Sequence, residues 1–228
     1  MFTQQTLDFL FENKLHDSKE WFAQHREDYA RYVTEPFGKI VLELAPTMAK
    51  IDSLIISDPK KLSRIYLDAR RAKGAVFRDE MWFTFARARE DAYDGHPGYW
   101  LAISPRGMSC GCGYYCADGA VKEQIRRMIL NDDPAFKAAA QAVAGQRRYT
   151  QYGELYKRRH YPDASPEKAD WLERREYGVG YYTDDGKEMF APDLAKKLSR
   201  DFLRLAPLYD FLLKAKAQAD GVEESGRR

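Results

Sequence analysis

Apolar residues recur at helical spacing near both ends of the chain, and they alternate with polar residues in its middle third. Near the amino end, Thr3 and the run Asp17-Ser-Lys-Glu20 match helix-capping sequences, and Pro36 suits the first turn of a third helix. Asp118 and the run Asn131-Asp-Asp-Pro134 mark the starts of two later helices. The pattern predicts helices before residue 50, between 118 and 144, and again after 194.

The middle third carries the period of two that is typical of strands. The segments are 62–71, 81–89, 99–104 and 108–115, and residues 177–182 match a further strand. Turn clusters at 94–98 and 104–107 connect neighbouring segments without a crossover helix, which favours antiparallel pairing. We therefore predict an α+β fold in which a mainly antiparallel sheet of about four to five strands is packed by N-terminal and C-terminal helices.

The composition is that of a globular protein. The 228 residues are 44% hydrophobic and 32% charged, and this length is sufficient for one sizeable core. We expect a single α+β domain over residues 1–218 and a disordered tail over residues 219–228. The net charge of +2 gives no overall indication of nucleic-acid binding.

Local charge is less even than the total. Residues 60–89 contain nine lysines or arginines against three acids, and residues 147–159 contain five bases against one acid. The second segment begins a stretch, 145–182, that is rich in tyrosine and arginine and poor in periodicity. Two basic segments on one face would attract phosphates, whereas scattered solubilising charge is the alternative.

The stretch 61–78 combines a strand-like alternation with ion-pair chemistry. Arg64, Tyr66, Asp68 and Arg70 share one face of such a strand. Because neighbours on one face lie about 6 to 7 Å apart, Asp68 is placed to hold Arg64 or Arg70 as a fixed fork for an anion. The alternative is a solvated ion-pair ladder that contributes about 0 to 1 kcal/mol per pair.

Further cations follow where this strand should turn. Lys73 and Arg78 flank Gly74, and a glycine turn with two cations brings backbone N–H groups and positive charge to one anion. If the site were catalytic, Asp68 would be the candidate general base, although a carboxylate held between arginines is a poor base. No activated nucleophile is visible, so the sequence leaves open whether the protein is an enzyme.

This segment resembles the signature of the domain of unknown function 2461 family, an Arg-Ile-x-Arg-Asp-x-Arg-Phe-x-Lys-Asp-Lys-like run. The residues that match it are Arg64, Ile65, Asp68, Arg70 and Lys73. The residues that depart from it are Leu67, Arg71, Gly74 and Ala75. The family is uncharacterised, so the resemblance implies no activity.

The resemblance extends over most of the chain. It includes Glu20-Trp21-Phe22, the glycine-rich strand at 111–113, Arg126 in the following helix, and Pro207 with Phe211-Leu212. Trp21 at a helix start is expected to line a pocket mouth, and Arg126 to help close the anion site. Core packing and a surface ion pair are the respective alternatives.

No cofactor or metal is predicted. The chain lacks a Walker loop, a Rossmann fingerprint, a Gly-x-Ser-x-Gly elbow and a His-Glu-x-x-His site. Cys110, Cys112 and Cys116 form no Cys-x-x-Cys pair and have no histidine nearby, so they are expected to be reduced thiols.

No apolar run reaches the roughly 18 residues that a membrane span needs, and the amino end lacks the features of a signal peptide. We therefore expect a cytoplasmic protein without a membrane partner. The predicted partner is a phosphorylated or otherwise anionic small molecule. Sequence-tolerant nucleic-acid binding and a structural or interaction role remain alternatives, and the oligomeric state is not indicated.

Overall fold

A computed structural model describes residues 1–68, 70, 74–88 and 95–226. The α+β prediction is confirmed, because helices occur together with a five-stranded antiparallel sheet of order β1-β2-β3-β5-β4. The strands are β1 Met81–Ala86, β2 Gly98–Ser104, β3 Gly107–Gly113, β4 Thr150–Gln151 and β5 Gly178–Thr183. In the β4–β5 pair, Thr150 lies opposite Gly180 and Gln151 opposite Val179.

The amino-terminal helices begin where the capping sequences predict. They are α1 Gln4–His16, α2 Lys19–Gln24, α3 Arg26–Tyr29, a π-helical turn Ala30–Thr34, and α4 Glu35–Ile51. The Thr3 N–H donates to the Thr6 hydroxyl oxygen at 3.1 Å at the start of α1. Ser18 caps α2, since its hydroxyl oxygen accepts the Trp21 N–H at 3.2 Å.

A 3-10 turn spans Pro59–Lys61, and the remaining helices are α5 Gly119–Leu130, α6 Pro134–Ala144, α7 Pro166–Leu172, α8 Gly186–Met189, α9 Leu194–Arg204 and α10 Ala206–Gly226. Of these later helices, α5 and α6 follow the predicted caps, whereas α7 lies in a stretch that was expected to be irregular. Asp118 and Asp133 cap α5 and α6 through their carboxylates. None of the described helices combines the length and the apolar character that crossing a membrane requires.

The predicted strand over 62–71 is wrong for the residues that are described. That stretch forms only an isolated antiparallel bridge between Tyr66 and Phe77. In a regular ladder the Val76 N–H would donate to the Leu67 carbonyl oxygen. Here the carboxylate of Asp17 accepts the Val76 N–H instead, at 3.0 and 3.1 Å, and the ladder stops.

The chain divides into two compact units, each made of three segments. Unit 1 comprises Met1–Phe85, Trp100–Cys110 and Tyr182–Asp201. Its core contains Phe2 against Phe37, with ring centroids 5.2 Å apart. A second aromatic contact joins α2 to the bridge, since Phe22 lies 5.0 Å from Phe77 between centroids.

Unit 2 comprises Ala86–Tyr99, Gly111–Tyr181 and Phe202–Arg228. Its helix α10 packs against α5 and α6, and Tyr99 stacks on Tyr209 with centroids 5.5 Å apart. The described part of α10 continues to Gly226, and the disordered tail over residues 219–228 stays a prediction. The single-domain organisation over 1–218 stays a prediction.

The close packing around Gly113 explains why strand β3 has a glycine at this position. A Cβ at this position would lie 2.5 Å from both the Tyr177 carbonyl oxygen and the Tyr152 hydroxyl, and would also overlap the Cα of Gly178. The Tyr152 hydroxyl donates to the Tyr114 carbonyl oxygen at 2.8 Å. The lack of a side chain therefore allows two backbone segments and a tyrosine to meet inside unit 2.

Candidate functional site

The segment that returns through Val76 and Phe77 is held by the end of α1. Asp17 has a left-handed backbone with φ of 46°, and its carboxylate accepts the Phe77 N–H at 2.8 Å as well as that of Val76. Lys14 donates to the Phe77 carbonyl oxygen at 2.9 Å. Burial raises the pKa of Asp17, but the backbone donors of Phe77 and Val76 and the charge of Lys14 lower it further, so the net pKa is below its ordinary value.

Asp68 holds Arg70 as the two-residue spacing predicts, although not within a strand. Arg70 Nε donates to Asp68 Oδ1 at 3.1 Å, and Arg70 Nη2 donates to Asp68 Oδ2 at 2.8 Å. The Arg70 backbone N–H also donates to Asp68 Oδ1, at 3.0 Å. The Arg70 side chain remains 87% exposed. One edge of its guanidinium group therefore binds the Asp68 carboxylate, and the other edge is open to solvent.

The other predicted contacts of this stretch are not joined to that pair. Arg64 is exposed and makes no hydrogen bond or ion pair with the described residues. Arg78 lies over the Trp82 ring, 4.8 Å from its centroid, and its buried Nε–H has no acceptor within the described chain. Lys73 lies outside the described residues, as does Arg71.

Trp21 lines a groove in unit 1, which we call the N-terminal groove. α1, α2, α3 and the π-helical turn supply its lining, which includes Asp8 and Asp28. The Trp21 ring stacks on His16 and on His25, at centroid distances of 4.9 and 3.9 Å. A ligand at Trp21 stays a prediction.

Arg126 belongs to unit 2, and there it occupies a half-buried position on α5. Its Nη2 donates to the Tyr156 hydroxyl at 2.7 Å, and its Nε–H is buried without an acceptor. Within the described ranges Arg126 makes no ion pair. Burial lowers the pKa of Arg126, but the tyrosine oxygens around it, led by Tyr177, raise it, and the net direction is upward.

Tyrosines surround this guanidinium, and Arg126, Tyr156, Tyr161 and Tyr177 are called the Arg126 cluster below. Tyr177 is 1% exposed, and its hydroxyl has no hydrogen-bond partner of good geometry in the described chain. Burial raises the pKa of Tyr177 to about 12, although the neighbouring Arg126 opposes the shift. Burial also raises the pKa of Tyr161. Tyr161 and Tyr177 are therefore neutral at physiological pH and supply no counter-charge.

Glu173 holds the chain that leads to Tyr161. Its buried carboxylate accepts the His160 N–H at 3.0 and 3.1 Å and the Tyr161 N–H at 2.8 Å. Burial raises the pKa of Glu173, but these two backbone donors lower it more, so the net pKa is below its ordinary value. Both oxygens accept from the backbone, so this carboxylate positions the loop, and it makes no ion pair with Arg126.

The described residues contain no group of three or more His, Cys, Asp and Glu side chains that could hold a metal ion. Cys110 and Cys112 are buried, whereas Cys116 is exposed.

Residues 5–211 match the sequence model of a protein family that is described as conserved hypothetical protein (DUF2461). The chain belongs to the DUF2461 family. The family resemblance seen in the sequence is thus confirmed, and the DUF2461 region spans both Trp21 and Arg126. No curated protein matches the chain.

Sequence reasoning missed the tertiary partners of these residues. Asp17 was assigned to a capping sequence, whereas Ser18 caps α2 and Asp17 binds a segment about 60 residues away. Tyr156 was noted only as a loop aromatic, and nothing local marks it as the partner of Arg126. Nothing local in the sequence marks Asp17 for this role, since its left-handed backbone is visible only in the structure.

Proposed function

We propose that this DUF2461 protein binds a small anionic molecule, of the phosphorylated class, at the Arg126 cluster. The observation that carries the proposal is a half-buried guanidinium that makes no ion pair with the described residues. Removing a charge from water is costly, and buried charges are normally paired. A bound anion would supply the missing counter-charge.

The donors of the cluster suit the oxygens of a phosphate. Tyr156 accepts from one Nη2–H, which fixes the guanidinium and leaves its other N–H groups for a ligand. Tyr177 adds a buried hydroxyl that makes no hydrogen bond of good geometry within the described chain. Planar guanidinium donors match phosphate and carboxylate oxygens, and a phosphate gains more from a concentrated positive charge.

A second cation lies beside the same ring. Arg175 is 5.5 Å from the centroid of Tyr156, the same distance as Arg126. Arg175 also lies 3.5 Å from Glu154, but both side chains are largely exposed, so this pair is weak. Two guanidinium groups therefore lie beside the Tyr156 ring, where an anion would be attracted.

The stretch 61–78, in which the sequence predicts an anion site, offers a second location for anion binding. Arg64, Asp68, Arg70, Lys73 and Arg78 remain candidates there, with Arg70 presented by Asp68. The exposure of Arg70 makes this location weaker, since an exposed ion pair is hydrated and needs no further partner. Asp68 remains a weak candidate for a general base, because both of its oxygens accept from Arg70.

The test is a thermal-unfolding and calorimetric panel of phosphate, nucleotides, sugar phosphates and short oligonucleotides. Arg126→Met removes the charge and keeps an apolar stem, and Arg127→Met is the matched control, because Arg127 is its neighbour on α5 and is 60% exposed. A ligand at a hundred times its dissociation constant should stabilise the wild type by about 2.7 kcal/mol. We expect Arg126→Met to lose this stabilisation and Arg127→Met to keep it.

The unliganded variants provide a further check. Because Arg126 is an unpaired half-buried charge, Arg126→Met should be at least as stable as the wild type without ligand. Loss of the ligand effect in Arg70→Ala but not in Arg126→Met would move the site to the Asp68–Arg70 pair. A response to oligonucleotides alone, falling steeply with salt, would replace the proposal with nucleic-acid binding. Absence of any response would favour a structural or interaction role.

A further inference from the structure

The Arg126 cluster has a second guanidinium group beside it. Arg175 lies 5.5 Å from the Tyr156 ring centroid, as Arg126 does, so the two guanidinium groups are at most twice this distance apart. The pair that Arg175 makes with Glu154 is 3.5 Å long and largely exposed, so water screens it. An anion beside the Tyr156 ring therefore meets two positive charges at once.

The loop that begins at Tyr156 carries further positive charge. Its residues 157–159 are Lys, Arg and Arg, and they are exposed and make no ion pair with the described residues. Both ends of the loop are tied to Glu173. The Tyr156 N–H donates to the Glu173 carbonyl oxygen at 2.8 Å, and the Glu173 carboxylate accepts the His160 and Tyr161 N–H groups. The like charges of the loop are therefore held together in the free protein.

The charge on a bound phosphate depends on how it is esterified. A phosphomonoester has three free oxygens and a charge of about −1.5 to −2 at pH 7, because its second pKa is about 6. A phosphodiester has two free oxygens and a single charge. The buried Nε–H of Arg126 and the buried hydroxyl of Tyr177 make no hydrogen bond of good geometry within the described chain. Several cations and these two donors favour the ligand with more charge and more free oxygens.

The Tyr156 ring already has partners from the protein. The His160 ring packs on it with centroids 4.4 Å apart, and the guanidinium groups of Arg126 and Arg175 lie near it as well. A nucleobase that stacked on Tyr156 would displace one of these contacts. The phosphate itself, and not an aromatic part of the ligand, is therefore the group that this site recognises.

We propose that the Arg126 cluster selects dianionic phosphomonoesters over phosphodiesters, so that its ligand carries a terminal phosphate. This inference rests on the proposed function, because it assigns a preference to the same site. Arg126 and Tyr177 bind the free oxygens, and Arg175 supplies a second positive charge. The internal phosphates of a nucleic-acid strand are diesters, and they lack both the second charge and the third free oxygen.

Titratable groups of the protein also face this site. They are Glu123 of α5, the loop residues Arg159, His160 and Tyr161, and the residues Glu173 and Tyr177 that follow α7. A change of pH can therefore act on the protein as well as on the ligand. Sulfate separates the two effects, because it keeps both of its charges from pH 5 to pH 8.

The test compares methyl phosphate, dimethyl phosphate and sulfate by calorimetry at pH 8 and pH 5 and at fixed ionic strength. At pH 8 methyl phosphate is a dianion, and we expect it to bind about tenfold or more tightly than dimethyl phosphate. At pH 5 it has lost most of its second charge, so this preference should fall to about threefold or less. Sulfate should bind at pH 5 at least as tightly as at pH 8.

Two variants test the second positive charge. Arg175→Met should reduce the preference for methyl phosphate at pH 8 by about threefold or more, with a smaller effect on dimethyl phosphate. Arg127→Met is the matched control, because it removes an exposed arginine of the same unit, and it should leave the preference unchanged. Thermal unfolding at both pH values checks that each protein is folded. The wild-type comparison of the three probes needs no variant.

The possible failures are distinguishable. Equal affinity for the two esters at pH 8, with both lost in Arg126→Met, would keep the anion site and overturn the preference. Sulfate that weakens as much as methyl phosphate at pH 5 would assign the pH effect to the protein and overturn it too. An equal loss of preference in Arg175→Met and Arg127→Met would do the same. Failure of all three probes to bind would overturn the proposed function together with this inference.

Discussion

Replacing Gly113 with alanine is expected to destabilise the protein by about 3 to 5 kcal/mol, from overpacking together with backbone strain. The added Cβ would overlap the Gly178 Cα and the Tyr177 carbonyl oxygen, and a backbone cannot move aside as a flexible side chain does. The φ of Gly113 is 152°, which residues with a side chain rarely adopt. Urea unfolding followed by circular dichroism measures the loss.

Substitutions at two other glycines distinguish overpacking from backbone strain. Gly74 has a φ of 93° but nothing within 4 Å of an added Cβ, so Gly74→Ala should show strain alone, about 1 to 2 kcal/mol. Gly119, in α5, has neither problem, and Gly119→Ala should be neutral or stabilising by up to about 1 kcal/mol. If Gly113→Ala lowered the free energy of unfolding no more than Gly74→Ala does, the close approach of Gly178 and Tyr177 to Gly113 would not limit stability.

A double variant at Gly178 and Tyr152 tests whether stability lost at the same contact can be recovered. A Cβ there would overlap the ring and hydroxyl of Tyr152, which belong to a side chain. Truncation by Tyr152→Ala should therefore recover part of the stability lost in Gly178→Ala, whereas it should not rescue Gly113→Ala. Purely additive losses in the double variant with Gly178→Ala would contradict this assignment.

Replacing Asp17 with glycine is expected to destabilise the protein by about 1 to 3 kcal/mol. Glycine keeps the left-handed backbone, so the loss isolates the carboxylate that accepts the Val76 and Phe77 N–H groups. The 27% exposure of the Asp17 side chain favours the lower part of this range. Asp17→Asn keeps one acceptor oxygen and should lose less.

The pH dependence of this effect has a defined sign. The pKa of Asp17 is lowered in the folded protein, so its contribution is fully present above the unfolded pKa, near about 3.9. The contribution is lost as the pH falls through the folded pKa. The difference in unfolding free energy between wild type and Asp17→Gly should therefore shrink below about pH 4. A difference that stays constant with pH would show that the charge is not involved.

Local sequence predicted the helices well, because their caps lie beside them. Thr3, Asp118 and Asp133 each serve a helix that starts within one or two residues. The 62–71 segment failed for the opposite reason. Its alternation was strand-like, but Asp17, far away in sequence, bound the N–H group that the ladder needed.

The candidate site shows the same limit. The Asp68–Arg70 contact was predictable, because two residues of opposite charge stood two positions apart. The isolation of Arg126 was not, since its partner Tyr156 lies 30 residues away and the missing carboxylate is a property of the folded surroundings. The family resemblance indicated Arg126 as a candidate but not its environment. The chemical reason to consider it as a ligand contact is its half-buried position, which only the structure shows.

The three cysteines differ in a way that allows direct chemical labelling. Burial raises the pKa of the Cys112 thiol, and Cys110 is also buried, so a labelling reagent should reach neither of them readily. Cys116 is exposed and stands just before α5, the helix that carries Arg126. A maleimide fluorophore should therefore attach to the native protein at a single position in unit 2. Its emission can then be followed while the proposed ligands are added, without any engineered residue.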